Sequence, residues 1–424
     1  MKFVLASWGS RGEVEPCAAV GRELVRRGHD VWMAVPPDLV GYASSAVPQT
    51  VGFGSDLQAM MDAYRDFWTG FFRSPWRIRE MNALLQEMWQ PLNSSWGEMS
   101  RTLTALTDGS DLLLTSNVGF EVQAANVAEY RNIPLATLHW YPMRPNGQLA
   151  PFLPAPVARS AMATYDWLSR GGWARKVEAL QRRELGLPKA RGPWPQRVVD
   201  RRPLELQAYD DVCFPGLADE WARWNGQRPF VGALTLELET DADEEVASWI
   251  SAGKPPIFFG FGSMPVESPS ETLAMIASAC ARLGERALVC AGWDDFGAAD
   301  RFEHVKVVGV VNFASVFPQC RAVVHHGGAG TTALGLRAGM PTLVLSTDAN
   351  QALWGAQIKR LKVGTGRRFS ATDEATLVAD LRTILEPQYG VRARALATQM
   401  TAPADGAAAA ADLAERFAAV RQRG

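Results

Sequence analysis

Short uninterrupted apolar runs alternate along this chain with longer stretches in which apolar residues recur every three or four positions. The first run, Phe3–Ala6, has no polar alternation and predicts a strand buried on both faces. Cys17, Val20, Leu24 and Val25 follow at helical spacing, with Arg22, Arg26 and Arg27 on other faces. Gly28-His29 stops that helix, with His29 expected as a capping residue, and Val31–Val35 is the next buried run. The same alternation returns with Leu112–Thr115 as strand, Val122–Tyr130 as helix and Leu135–Leu138 as strand. A second series consists of Ile257–Phe261, a helix over Thr272–Leu283, then Ala287–Cys290, Val305–Val308 and Ala322–His325. A helix from Thr331 and a strand over Thr342–Leu345 complete it. Strands alternating with helices predict doubly wound α/β sheets with parallel strands. The tail "DGAAAAADLAERFAAVRQ" has the composition of a terminal helix. The expected division is an N-terminal domain over 1–231, a linker over 232–255 and a second domain over 256–424 that includes the terminal helix. The linker holds the acidic run "ETDADEE" and then "GKPP".

Composition narrows the class. A chain of 424 residues exceeds what one core usually supports, in line with two domains. Charged residues make up 21% and nearly cancel to a formal charge of -2, which argues against a nucleic-acid binder. The five cysteines are scattered without CxxC or His-paired spacing, which speaks against a disulfide framework or a zinc site and for a reducing compartment. No apolar run is long enough for a signal-peptide core or a membrane span. The expectation is therefore a cytoplasmic protein, with contact to the inner face of the plasma membrane still open.

Candidate chemistry concentrates in "AVVHHGGAGTTALGLRAGMPTLVL", residues 322–345. A buried strand ends in two histidines, and a glycine-rich turn leads into a helix through Thr331 and Thr332. Glycines such as Gly328 and Gly330 let a ligand approach the backbone closely, and the N–H groups at a helix start favour an anion. His326 and the Thr331 hydroxyl add donors suited to phosphate oxygens. Upstream, "FFGFGSM" ends in Gly262-Ser263, at the carboxyl end of another strand, where ligands of open α/β sheets sit. No Walker lysine is present, which excludes a P-loop NTPase.

The segments "GSRGEVEP", "GFGSM", "FPQCRAVVHHGGAGTT", "AGMPTLVL" and "NQALWGAQIKRLKVG" occur in this order. Together they resemble the large inverting family of nucleotide-sugar-dependent glycosyltransferases that includes plant and antibiotic enzymes. "HWYPMRPNG" and "QIKRLKVG" look like actinobacterial members, particularly mycobacterial glycopeptidolipid glycosyltransferases. The resemblance implies two facing Rossmann-like domains of GT-B type, the first binding the acceptor and the second the donor. It implies that His326 contacts the diphosphate, with Thr331 beside it and Ser263 as another phosphate contact. Val310–Phe313, with Val311 and Asn312, matches the loop that grips the base. Gln351 and Asn350 match residues that bond the sugar hydroxyls, and Trp293 in "CAGWDD" lies near the nucleotide.

In the N-terminal loop, the residue after Gly12 matches the catalytic base of that family, and it is Glu13 here where His or Asp is common. Gly12 itself is counted with the donor site, and Glu15 reads as an acid favoured by the helix dipole. A general base is needed because a hydroxyl is a weak nucleophile. His139, at the end of "PLATLH", is the rival base, and a core histidine bonded to backbone is its plainer reading. The family usually has Asp-Gln where this chain has Asn350-Gln351. An amide accepts sugar O–H groups more weakly than a carboxylate, and Asp348 is a substitute if the loop bends differently. This departure and the mycobacterial look point to a TDP-6-deoxyhexose such as rhamnose or 6-deoxytalose. UDP-glucose with a sterol or macrocyclic acceptor is the alternative.

The stretch Ala63–Trp96 interleaves aromatic residues with Arg65, Arg73, Arg77 and Arg79. Core packing explains part of it, and a hydrophobic or lipid-linked acceptor, or peripheral membrane contact, is the functional expectation. Asp241 and Asp243 form a DxD within the acidic linker rather than at a strand end, with solvated charge on its flanks, and no metal cofactor is expected. Readings from other classes are a nucleotide-sugar epimerase and a catalytically silent partner protein.

Overall fold

The computed structural model describes residues 1–73, 76–116, 118–149, 153–165, 175–192, 194–224, 226–262, 268–292 and 302–421. It divides into two compact units. The first comprises Met1–Ala63, Asn82–Leu236 and Thr401–Gly424, and the second Tyr64–Met81 and Glu237–Met400.

In the first unit, six parallel strands are β1 (Lys2–Ser7), β2 (Asp30–Val35), β3 (Gln49–Gly52), β4 (Leu112–Ser116), β5 (Leu135–His139) and β6 (Leu204–Gln207). Their order is β3-β2-β1-β4-β5-β6. Phe3, Val4, Leu5 and Ala6 are fully buried because β1 lies between β2 and β4. A central strand covered on both faces must be apolar throughout, which is why this run shows no alternation. The order reverses between β1 and β4, so the loops leaving these strands flank the crevice where doubly wound sheets bind ligands.

The second unit repeats the plan with β7 (Ile257–Gly260), β8 (Ala287–Cys290), β9 (Val305–Val308), β10 (Ala322–His325), β11 (Thr342–Ser346) and β12 (Gly364–Arg368). The order β12-β11-β10-β7-β8-β9 is the same winding, with its reversal between β7 and β10. Phe259, Val289, Val324, Leu343 and Leu381 lie in one core on one side of this sheet. Phe258, Leu288, Phe317 and Val323 lie in the other.

The expected domain limits need revision. The helix Pro403–Arg421 belongs to the first unit rather than to the second. Its small buried face, including Ala410, Ala411, Ala414 and Ala418, permits close approach to the helix Arg11–Arg26. Arg27 bonds Asp412 at 2.6 Å and Glu415 at 3.0 Å, and His29 Nε2 lies 2.7 Å from Glu415. His29 thus caps its helix only through the backbone N–H, given to Leu24, while its ring pairs with the terminal helix. The expected linker is structured as well. It contains a helix, Asp243–Ser251, whose Val246 and Ile250 lie in the core of the second unit.

The aromatic stretch falls on two helices, Gln58–Arg73 and Ile78–Leu106. Leu92, Trp96, Met99 and Leu103 are buried, so its C-terminal part is core, whereas Trp76 is 72% exposed. Among the described residues no helix is long and apolar enough to cross a membrane.

Candidate active site

In the first unit, the chain leaves β1 through Trp8 and Gly9 and enters the helix Arg11–Arg26 with Ser10 in extended geometry at its N-cap. Glu13 stands in the first turn and is half-buried. The hydroxyls of Ser7 and Ser116 converge on its carbonyl at 3.0 and 2.5 Å. These serines are register partners at the ends of β1 and β4, so both strand ends fix the backbone at the switch point. The Ser10 hydroxyl donates to the Glu13 carboxylate at 2.5 Å, which orients the side chain. Pro16 has no N–H to return to Gly12 four residues earlier, and Gly12 is exposed. A Cβ at Gly12 would meet only Ser10 Oγ, at 3.8 Å; the fold leaves room for a side chain there.

Glu15, expected as an acid favoured by the helix dipole, also has a structural partner. Its Oε1 accepts the N–H of Leu236 at 2.8 Å, with Arg11 and Tyr42 alongside. Burial raises its carboxyl above the ordinary range, against the pull of Arg11.

His139 ends β5 and is almost fully buried. Its Nε2 lies 3.2 Å from the Thr137 hydroxyl and 3.7 Å from Glu121. Glu121 and Glu205 share Arg144 at 2.5 and 2.6 Å, and Arg228 closes the network on Glu205 at 2.6 Å. Burial pushes the Glu121 carboxyl up, but Arg144 and His139 outweigh it and hold it down at about 2. Burial keeps His139 below its ordinary value despite Glu121. His139 and Glu121 line a shallow depression together with Thr115, Ser116 and Met143. His139 is therefore a core histidine, as its plainer reading had it, but its ring meets the Thr137 hydroxyl and Glu121 rather than backbone.

In the second unit, β10 delivers His325 and His326 to the corresponding reversal. Nδ1 of the fully buried His325 accepts the Gly327 N–H at 2.9 Å, which holds the turn and puts the imidazole proton on Nε2. Its pKa is pushed down to about 3 by burial, with His326 adding to the effect. The His326 ring lies between two glycines. A Cβ at Gly262 would come 2.6 Å from Cε1, and one at Gly328 would come 2.5 Å from Nε2. Gly262 also has a φ of +67°, a conformation suited to glycine. His326 Nδ1 is buried without a hydrogen-bond partner among the described residues. Burial lowers the pKa of this histidine to about 4, partly countered by the Gly260 backbone.

Gly328 is the N-cap of the helix Ala329–Arg337 and offers no capping side chain, so the first N–H groups of this helix are open to an anion. The two threonines separate in role. Thr332 is buried and donates its hydroxyl to the Gly328 carbonyl at 2.8 Å, whereas Thr331 is half-buried in the open first turn. At Gly330 a Cβ would meet nothing within 4 Å.

Two further loops belong to this end of the sheet. After β11, Asp348 is the N-cap of the helix Ala349–Arg360 and accepts the Gln351 N–H at 2.9 Å. Gln351 Oε1 in turn accepts the N–H and hydroxyl of Thr347 at 2.8 and 2.9 Å. Asp348 is 4% exposed, and capping engages its carboxylate, whereas Asn350 is exposed in the first helical turn. Gly327 packs against this loop, since a Cβ there would approach the Gln351 carbonyl to 2.9 Å. After β9, Val311 is buried in the core while Val310 is 48% exposed. Asn312 caps the short helix Phe313–Val316 through the Ala314 N–H, at 3.0 Å.

The acids flanking Asp243 in this stretch, Glu239, Asp241, Glu244 and Glu245, are exposed as expected, but Asp243 itself is engaged. It accepts the Asn312 N–H at 2.8 Å and both donors of Thr240 at 2.7 and 2.8 Å. Burial would raise its carboxyl, but the bonds from Asn312 and Thr240 lower it. The available signal was the Thr240-x-x-Asp243 spacing, which is that of a helix-start box. Ser263 and Trp293 lie outside the described residues.

Of the residues expected at the donor site, Val311, Asn312, His326, Gly328, Gly330, Thr331, Asn350 and Gln351 follow the carboxyl ends of β9, β10 and β11, whereas Gly12 lies in the first unit. Residues 298–416 match the family model described as the erythromycin biosynthesis protein CIII-like C-terminal domain. Over 420 residues the chain is 56% identical to an uncharacterized glycosyltransferase of Mycobacterium tuberculosis, covering 98% of each sequence. This chain belongs to the glycosyltransferases. Its architecture is that of the GT-B enzymes. The structure of the kitacinnamycin glycosyltransferase is similar with a TM-score of 0.71 at 20% identity, covering 98% of each chain. That of the glycosyltransferase VinC in complex with dTDP is similar with a TM-score of 0.63 at 16% identity, covering 100% of both. In the glycosyltransferase described here, the turn after β10 combines a neutral histidine, open helix amides and a hydroxyl at one sheet edge.

Proposed function

We propose that this glycosyltransferase is inverting and metal-independent, and moves a 6-deoxyhexose from a thymidine diphosphate sugar to a hydroxyl of an amphiphilic acceptor, either lipid-linked, glycopeptidolipid or natural product. The observation that carries this reading is the His326 turn. A buried ring nitrogen without a partner stands beside an uncapped helix start, and a buried polar atom left unpaired in the free protein calls for a ligand. A diphosphate placed there receives an imidazole N–H, the helix amides and the Thr331 hydroxyl. Its charge also favours protonation of His326, so the pKa rises from about 4 when donor binds.

Transfer follows as one displacement. An acceptor oxygen attacks C1 of the sugar as its proton passes to Glu13, and the C1–O bond electrons leave with the diphosphate. Preorganised donors around His326 stabilise the charge that develops there, which is the basis for expecting no metal. Attack opposite the leaving group inverts the configuration. The glycines at 12 and 330 support close ligand approach, because packing does not demand glycine at either position.

A TDP-sugar is favoured by Asn350 in place of a carboxylate, and by analogy with VinC, which was solved with dTDP. An amphiphilic acceptor is favoured by the exposed Trp76 at the junction of the aromatic helices. The test is a panel of TDP- and UDP-sugars against lipid and polyketide acceptors, with product mass and anomeric configuration as readout and a chelator present. A TDP-6-deoxyhexose should give a product of inverted configuration. Transfer from UDP-glucose alone would contradict the donor assignment, and donor conversion without acceptor would indicate an epimerase.

A further inference from the structure

We infer that Asp243 is a positioning residue for recognition of the donor's nucleobase, acting through the loop Gly309–Asn312; the inference rests on the donor site proposed above. This loop is held at three points. The Gly309 carbonyl accepts Cys290 Sγ at 3.0 Å and the Gly292 N–H at 3.3 Å. The Val311 side chain is buried in the core. The Asn312 N–H is taken by Asp243 at 2.8 Å.

Between these anchors the peptide groups of Val310 and Val311 make no hydrogen bond among the described residues, and Val310 is 48% exposed. The exposed, unbonded amide and carbonyl of Val310 suit the edge of a planar heterocycle, which presents alternating acceptors and donors. Asp243 does not reach this edge itself. Its carboxylate holds the N–H immediately after it, while the Asn312 side chain is engaged in capping Ala314. Both donors of Thr240 fix that carboxylate in turn. The direction of the Val310–Val311 peptides is thereby tied to the start of the helix Asp243–Ser251. Without the carboxylate, the Asn312 N–H loses its acceptor and the loop's C-terminal end is held only through the Asn312 bonds to the following helix. Among the described residues the diphosphate cradle at His326 shares no hydrogen bond with Asp243, so the two parts of the donor site separate experimentally.

The experiment is calorimetric titration of the full chain with TDP, UDP and inorganic pyrophosphate, for wild type, Asp243→Ala and Asp243→Asn. Loss of a hydrogen bond to a charged group predicts roughly tenfold weaker TDP and UDP binding for Asp243→Ala, with pyrophosphate affinity unchanged. Asp243→Asn keeps one acceptor oxygen and should recover part of the loss. Equal weakening for nucleotides and pyrophosphate would overturn the inference, because the residue would then serve folding alone. Unchanged nucleotide affinity in Asp243→Ala would also overturn it while leaving the donor site intact. Wild-type protein that bound none of the three would bring down the donor-site reading and the inference with it.

Discussion

At the scale of single residues, the start of the helix Arg11–Arg26 holds two glutamates with separate fates. Glu15 accepts the Leu236 N–H and is raised in pKa by burial. Its role is to hold the chain where the first unit ends. Glu13 keeps its carboxylate half-buried at the switch point, with its backbone tied to the ends of β1 and β4. That difference was partly legible in the sequence: position after Gly12 singled out Glu13, but the partner of Glu15 lies 221 residues away. We expect Glu13→Gln to lose roughly 10²–10⁴-fold in transfer rate, the usual worth of a general base, while binding TDP like wild type. Steady-state rates beside nucleotide titration check this. A variant as fast as wild type would remove Glu13 from the mechanism.

At the scale of elements, the glycines of the segment from Gly327 to Gly330 divide into those the fold requires and one it does not. Gly327 has a φ of +101° and Gly328 leaves room for the His326 ring; substitution at either disturbs the turn itself. Gly330 is helical, and a Cβ there would meet nothing. Glycine inside a helix costs up to about 1 kcal/mol relative to alanine, so a glycine without a packing reason points to a ligand. Gly330→Ala should therefore raise the unfolding midpoint in urea slightly and weaken TDP binding. A variant both more stable and fully competent in binding would show that the glycine has no functional role. Composition announced this glycine-rich turn clearly, but could not say which glycine served which purpose.

Other elements were hidden by burial of polar residues. β6 reads "LELQ" and was not anticipated, because its fully buried Glu205 and Gln207 look like loop residues until Arg144 and Arg228 neutralise the glutamate. β12, "GTGRR", is a polar edge strand whose Gly364 permits pairing, since a Cβ there would overlap the Thr342 carbonyl. Neither pattern, nor that of β3 ("QTVG"), carries the apolar signature that marks the remaining strands. The terminal helix was recognised as a helix, yet its docking partner depends on ion pairs separated by 385 and 388 residues.

At the scale of the whole molecule, both units wind in the same order and reverse direction at their first and fourth strands. Each reversal gathers one part of the proposed chemistry: a carboxylate in the first unit, and an anion cradle in the second. The repeated alternation of runs and helices made the two sheets legible, and the strand-end motifs placed His326 after β10 and Glu13 after β1. Boundaries between units were less legible, because the chain returns to the first unit after Met400. The central claim is that the His326 turn binds the diphosphate of a nucleotide-sugar donor. Its most direct test is calorimetric titration of TDP into wild type and His326→Ala. A lost charged hydrogen bond predicts saturable binding to wild type and roughly 10–100-fold weaker binding to the variant. Equal affinity in the two proteins, or no nucleotide binding by wild type, would contradict it.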